Sequence, residues 1–229
     1  MISNVFGVYG QSVWMHPNRG QWDDRIEYKV DLNMGEMLVE QDGFTYFFSD
    51  GKQRHNHEHH GPAVAHDDDL IKSHVIKSKF TGSSWNGGTV IIDSSSFYRN
   101  YLQGSDRTKW RSNVHSYSFL HCPNYYQGID LIMDGREESL KYSFLVHPNV
   151  DADQIKMTYS GHDSLFIDEI GNLHIRHRFG EIIEEAPTAW LEENHRKIQI
   201  NFKLEGNNVR FDFPDGYDVS KTLIIDPKR

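Results

Sequence analysis

The stretch "SLKYSFLVHPNVDADQIKMTYSGHDSLFIDEIGNLHIRHRFGEIIEEA", residues 139–186, decides the fold. Its apolar residues fall into short segments: "SLKYSFLV" (139–146), "QIKMTYS" (154–160), "SLFID" (164–168), "NLHIRHR" (172–178) and "EIIEEA" (181–186). Each is too short for a stable helix, and most alternate apolar with polar residues, the period of a half-buried strand. Turn formers such as Gly171-Asn172 and Phe179-Gly180 separate them. Turns this frequent predict an antiparallel meander or sandwich.

The pattern extends in both directions. Downstream, "KIQINFKLE" (197–205) and "NVRFDF" (208–213) flank Gly206-Asn207-Asn208. Upstream, "RIEYKV" (25–30) places Ile26, Tyr28 and Val30 on one face, and "SHVIKSKF" (73–80) does the same with His74, Ile76 and Phe80. "EMLVEQDGFTYFF" (36–48) predicts two strands joined at Asp42-Gly43, a pair that tolerates positive φ. "GTVIID" (88–93) and "GIDLIMD" (128–134) are expected as short buried strands. No window carries a convincing 3.6-residue apolar stripe, so helices should be few and short. The expectation is one all-β domain over residues 1–229, an antiparallel β-sandwich-like fold with many hairpins and little or no helix. Residues 51–69, "GKQRHNHEHHGPAVAHDDD", read as a long polar, histidine-rich loop.

Bulk composition narrows the function classes. With 33 acidic and 24 basic residues the formal net charge is −9. Neutralising phosphates needs clustered Lys and Arg, so a nucleic-acid partner is not expected. No run of eighteen apolar residues occurs, so no membrane insertion is expected either. The N-terminus lacks a basic segment followed by an apolar core, so no signal peptide is visible. Cys122 is the single cysteine, which excludes an intrachain disulfide.

The densest chemistry is "HNHEHH" (55–60) with His66 and Asp67–Asp69 after it. In an extended backbone His55, His57 and His59 would point the same way; in a helical turn His55 and His59 would share a face. Either arrangement offers imidazoles to Zn²⁺ or a similar divalent metal, with His60, His66, Asp67 and Asp68 as further ligands. The H-E-x-x-H protease pattern is not met, because Gly61 stands where its second histidine belongs. Most such tracts are solvated loops, which orient a metal poorly. No cofactor is required on this reading, and zinc at the loop is the alternative.

The remaining candidates are weaker. His115, His121, His147, His162, His174, His177 and His195 sit beside or inside strands, where a hydrogen-bonded structural histidine outnumbers a ligand. His174 and His177 are three apart and so face opposite sides of a strand. Paired carboxylates such as Asp23-Asp24, Glu137-Glu138, Glu184-Glu185 and Glu192-Glu193 read as solvated faces, since nothing marks an acid–base pair. There is no G-x-S-x-G elbow, P-loop, G-x-G-x-x-G turn or EF-hand loop. Cys122 reads as a buried, idle thiol. Aromatic residues make up 13% of the chain, enough for a core and a stacking or protein-binding face besides.

Larger matching blocks run the length of the chain. They begin with Gly20-Gln21-Trp22 and Asp23, then "GFTYFF", "NYLQGSDRTKWRSNVHSY" (100–117) and "YYQGIDLIMDG" (125–135). "SLKYSFLVHPNVDADQIKMTYSG" (139–161), "LFIDEIGNLHI", "GEIIEEAPTAW" and a closing "LIIDP" (223–227) complete them. On these the chain resembles the N-terminal β-rich domain of secreted Bacteroidota proteins, often gliding-motility-associated, in which it precedes SBBP-type β-propeller repeats. The resemblance implies export by a type IX route, an extracellular or cell-surface location, and a domain cut from or N-terminal to a longer protein. It implies no catalytic residues. The histidine-rich insert, the missing signal peptide and the missing C-terminal sorting domain are departures from that pattern. The expectation is a non-catalytic structural or binding module, not an enzyme, whose partners are neighbouring domains, a cell-surface protein or a glycan. A metal-binding module is the first rival; a carbohydrate-binding or carbohydrate-active domain ranks below it. Trp22, Trp110 and Trp190 lie in the matching blocks and are expected to pack cores or corners.

Overall fold

The computed structural model describes residues 12–32, 34–50, 72–137 and 139–227. Among them the chain is almost entirely strand. In order these are β1 (Met15–Pro17), β2 (Ile26–Leu32), β3 (Gly35–Glu40), β4 (Gly43–Ser49), β5 (Ser73–Phe80) and β6 (Val90–Tyr101). There follow β7 (Arg111–Tyr126), β8 (Ile129–Asp134), β9 (Lys141–Val146), β10 (Lys156–Ser160), β11 (Ser164–Ile167) and β12 (Leu173–His177). The last are β13 (Gly180–Glu184), β14 (Pro187–Leu191), β15 (Lys197–Ile198), β16 (Asn201–Glu205), β17 (Asn208–Asp212) and β18 (Leu223–Pro227). Two single-turn 3₁₀ segments, Arg107–Lys109 and Ala152–Gln154, are the helical content of the described residues.

Fifteen strands form one antiparallel sheet in the order β15-β14-β18-β9-β8-β7-β1-β2-β3-β4-β5-β10-β17-β16, with β6 laid against β7. The sheet bends back on itself. Phe44 of β4 meets Tyr142 of β9 at 5.8 Å between ring centroids. Phe80 of β5 meets Phe144 at 5.9 Å, and Phe144 meets Phe211 of β17 at 6.1 Å. These pairs are edge-to-face, the arrangement that the ring quadrupole favours. Burying each such side chain contributes roughly 1.5–3 kcal/mol. A second, three-stranded sheet of β11, β12 and β13 packs on the first. His177 of β12 stacks on Phe48 of β4 at 4.0 Å, fixing that contact.

The β3–β4 hairpin falls where Asp42-Gly43 predicts it, but for a different reason. Glu40 pairs with Gly43, so the loop is Gln41-Asp42 and Gly43 opens β4 with φ 152°. A Cβ there would press into the Ser78 carbonyl of the adjacent strand, so glycine is needed for close approach between strands.

Three expectations are corrected. "GTVIID" is not a buried strand: β6 starts at Val90, runs twelve residues and leaves Val90, Ile91 and Ile92 exposed. It pairs only with β7 among the described residues, so apolar content did not report burial. "KIQINFKLE" splits into β15 and β16, which belong to opposite ends of the sheet. Glu184, read as part of a solvated pair, is buried beneath the small sheet.

Candidate functional site

The metal candidates His55, His57, His59, His60, His66, Asp67 and Asp68 all lie outside the described residues. Among the described residues no group of three or more His, Cys, Asp or Glu side chains is arranged to hold a metal ion. The strand that follows that stretch, β5, and β12 of the small sheet bring two other histidines near each other. His74 of β5 and His177 of β12 stand 5.6 Å apart between ring centroids, and Asp50 N–H donates to Lys72 C=O at 3.1 Å.

Three polar networks outside that region are closed. In the first, His16 of β1 is buried, with Nδ1 2.6 Å from Ser116 Oγ of β7 and Nε2 3.4 Å from Asp31 Oδ2 of β2. The connectivity is that of a Ser-His-Asp triad, but the function of one is missing. Ser116 is fully buried, its N–H donates to Ser95 Oγ, and Asp31 is shared with Arg99 at 2.7 Å. A nucleophile must reach a substrate carbonyl, and this one reaches only protein. The His16 hydrogen bond, with Arg99 added, holds the Asp31 carboxyl well below the usual range against the opposing effect of burial. The network therefore ties β1, β2, β6 and β7 together. No local sequence signal announces it, because His16 and Ser116 are a hundred residues apart.

In the second, Asp130 Oδ2 lies 2.8 Å from His121 Nε2 and 3.2 Å from His147 Nε2, while Asn124 N–H donates to Oδ1. Burial works to raise the Asp130 pKa, but the Asn124 and His121 bonds outweigh it and the pKa is lowered. In the third, the hydroxyls of Tyr142 and Tyr159 donate to Glu184 at 2.6 and 2.8 Å. Burial pushes the Glu184 pKa up in spite of them. Cys122 is buried, as expected, and desolvation pushes its thiol up to about 12, which leaves no thiolate at neutral pH. His174 and His177 face opposite sides as the spacing requires: His174 bonds Asp168 and Glu181, and His177 turns inward onto Phe48.

What remains open is the β6–β7 ribbon. Of the ten large apolar side chains exposed among the described residues, Val90, Ile91, Ile92, Phe97, Tyr98 and Leu102 lie on β6 or just past its end. Ile92 is 62% exposed and Tyr98 54%. The ribbon is anchored by edge-to-face pairs on its inner side, Phe97 with Trp14 and Tyr101 with Trp22, both at 5.1 Å. Trp110 is fixed at the ribbon's far end by its Nε1–H donating to Gln103 C=O at 3.1 Å. Trp22 and Trp110 thus pack corners, whereas the buried tryptophan is Trp85.

A family model described as a domain of unknown function, DUF7948, matches residues 15–228. No curated protein and no solved structure matches the chain.

Proposed function

The chain belongs to the DUF7948 family, a domain of unknown function, and we propose that it is a non-catalytic binding module that works through the β6–β7 ribbon. The single observation behind this is the concentration of exposed apolar side chains on β6, set against polar networks that are each internally satisfied. Exposed apolar patches of this kind mark protein contacts more often than chance. The resemblance to exported Bacteroidota proteins supplies the setting: an extracellular or cell-surface domain, secreted by a type IX route in a gliding-motility-associated protein, that spaces or docks neighbouring modules. A protein surface suits the ribbon better than a glycan, because its best-placed rings, Phe97 and Tyr101, already pack edge-on against tryptophans. Fluorescently labelled domain should bind intact cells of the organism that encodes it. An Ile92→Lys, Tyr98→Ala variant with an unchanged melt should lose at least about tenfold in binding. Equal binding by both proteins would end the reading.

A second reading, a zinc-binding module with His55, His57, His59, His60, His66, Asp67 and Asp68 as donors, is favoured by one observation. His74 and His177 lie side by side next to the backbone bond that joins Asp50 to Lys72, the two residues flanking that stretch. A metal that binds the native state raises stability by mass action, about 2.7 kcal/mol at a hundred times the dissociation constant. Zinc should therefore raise the melting temperature by several degrees and chelation should reverse it; a melt indifferent to both would remove this reading.

A further inference from the structure

We infer that the occupant of the β6 edge is a second copy of this chain, paired antiparallel about a two-fold axis at Ser96; this rests on the reading of β6 as a docking surface. The edge is "VIIDSSSFYRNY", residues 90–101, followed by Leu102. Antiparallel pairing of two copies about Ser96 places each Asp93 opposite the other copy's Arg99. The same register puts Val90 opposite Leu102 and Ile91 opposite Tyr101. A closed two-fold contact must be self-complementary in this way. The rest of the molecule is acidic, with a net charge of −9, and copies repel unless they meet on a neutral surface. β6 carries one Asp and one Arg and is neutral.

The two charges also lie on one face, as a cross-strand ion pair requires. Ser118 Oγ donates to Asp93 Oδ2 at 2.7 Å, and Arg99 donates to Asp31 Oδ2 at 2.7 Å. Asp31 contacts His16, which contacts Ser116, two residues from Ser118 and so on the same side of β7. The Arg99 fork can hold Asp31 and accept a second carboxylate.

The centre of the strand sets the form of the contact. Ser94 pairs with Tyr117 and Tyr98 with His115, so three residues on β6, 95–97, stand against the single Ser116 on β7. Within that bulge Ser95 turns inward, accepting from Ser116 N–H at 3.0 Å and donating to Phe97 C=O at 2.6 Å. A continuous intermolecular ladder is therefore excluded. The register of β6 shifts again between Ile91 and Asp93 and between Arg99 and Tyr101, so the contact is made in two short, irregular stretches, one on each side of the axis, 90–93 of each copy against 99–102 of the other. Bulges limit edge association, so the dimer is weak and concentration-dependent.

Sedimentation of the complete chain from about 1 to 100 µM tests this by charge exchange. The wild type should pass from monomer to dimer across that range. Asp93→Arg alone and Arg99→Asp alone each set like charges against each other, and each should weaken the dimer at least about tenfold. An equimolar mixture of these two variants restores both ion pairs in the heterodimer and should associate at least as well as wild type. Ile92→Lys, at a 62% exposed position that the fold tolerates, gives an independent check and should also weaken the dimer. A chain monomeric throughout, a dimer indifferent to the single substitutions, or variants with wild-type melts that fail to associate when mixed would overturn the proposal. Loss of cell binding by the ribbon variant in a strictly monomeric protein would overturn self-pairing while leaving the docking surface with another occupant.

Discussion

Glu184 shows how one buried carboxyl sets the chemistry around it. Its position in "EIIEEA" follows the strand alternation, with Ile182 and Glu184 turned inward, yet adjacent glutamates ordinarily signal a solvated face. Only Tyr142 and Tyr159, from other strands, make the inward position tolerable. Glu184→Ala leaves the two buried hydroxyls without their carboxylate acceptor, with the weak Met157 thioether in its place, and should cost about 2–4 kcal/mol in chemical denaturation. Glu184→Gln keeps an acceptor and should cost under about 1 kcal/mol. His177 carries the opposite titration sign. Burial first, and then the neighbouring His74, lower its pKa, while Asp163 pulls the other way. Its contribution is therefore present above the ordinary value of 6.5 and lost as pH falls below it. His174 has a raised pKa, because Glu181 and Asp168 outweigh burial, so its contribution is present below 6.5 and lost as pH rises through the folded value. Melts from about pH 8 to pH 5 should show His177→Phe losing less stability on acidification than wild type, with the His174 contribution common to both.

At the scale of elements, the alternating strands were legible and their surroundings were not. β2, β4, β5, β8 and β9 appear within a residue or two of where alternation, the Asp42-Gly43 turn and the short apolar run "GIDLIMD" predict them. β6 was found but misread, because a run such as "VII" states affinity for an apolar surface and not which molecule supplies it. β14 escaped notice since it opens on Pro187, a residue that suits the first position of a strand. The break between β15 and β16 was hidden because the apolar alternation of "KIQINFKLE" runs straight through it. The aromatic content of the chain allowed a stacking or protein-binding face, but nothing in sequence set the largely exposed "FYRNY" (97–101) of β6 apart from "NYY" (124–126) of β7, whose tyrosines are buried.

On the whole-molecule scale, one contiguous core draws side chains from β1 through β18, including Met15, Phe44, Phe144, Phe211 and Ile225. Phe144 stands at its centre, fully buried and in ring contact with Tyr142 of its own strand and with Phe80, Tyr126 and Phe211 from three others. Phe144→Ala should therefore cost about 3–5 kcal/mol, in a single unfolding transition followed by both fluorescence and far-UV circular dichroism. Separate transitions by the two probes would mean that the facing halves of the sheet unfold independently.

The amino-acid sequence by itself determined the all-β class, the hairpin spacing, the identity of most strands and the idle character of Cys122. These depend on local alternation, turn chemistry and composition, which neighbouring residues alone specify. Tertiary structure decided the rest. It closed the sheet through rings from distant strands, buried Glu184, assembled His16, Asp31 and Ser116 from three strands, and paired β6 with β7 alone among the described residues. Burial is a property of what packs against a residue, and in a sheet ordered this far out of chain sequence that neighbour is rarely close by in the sequence.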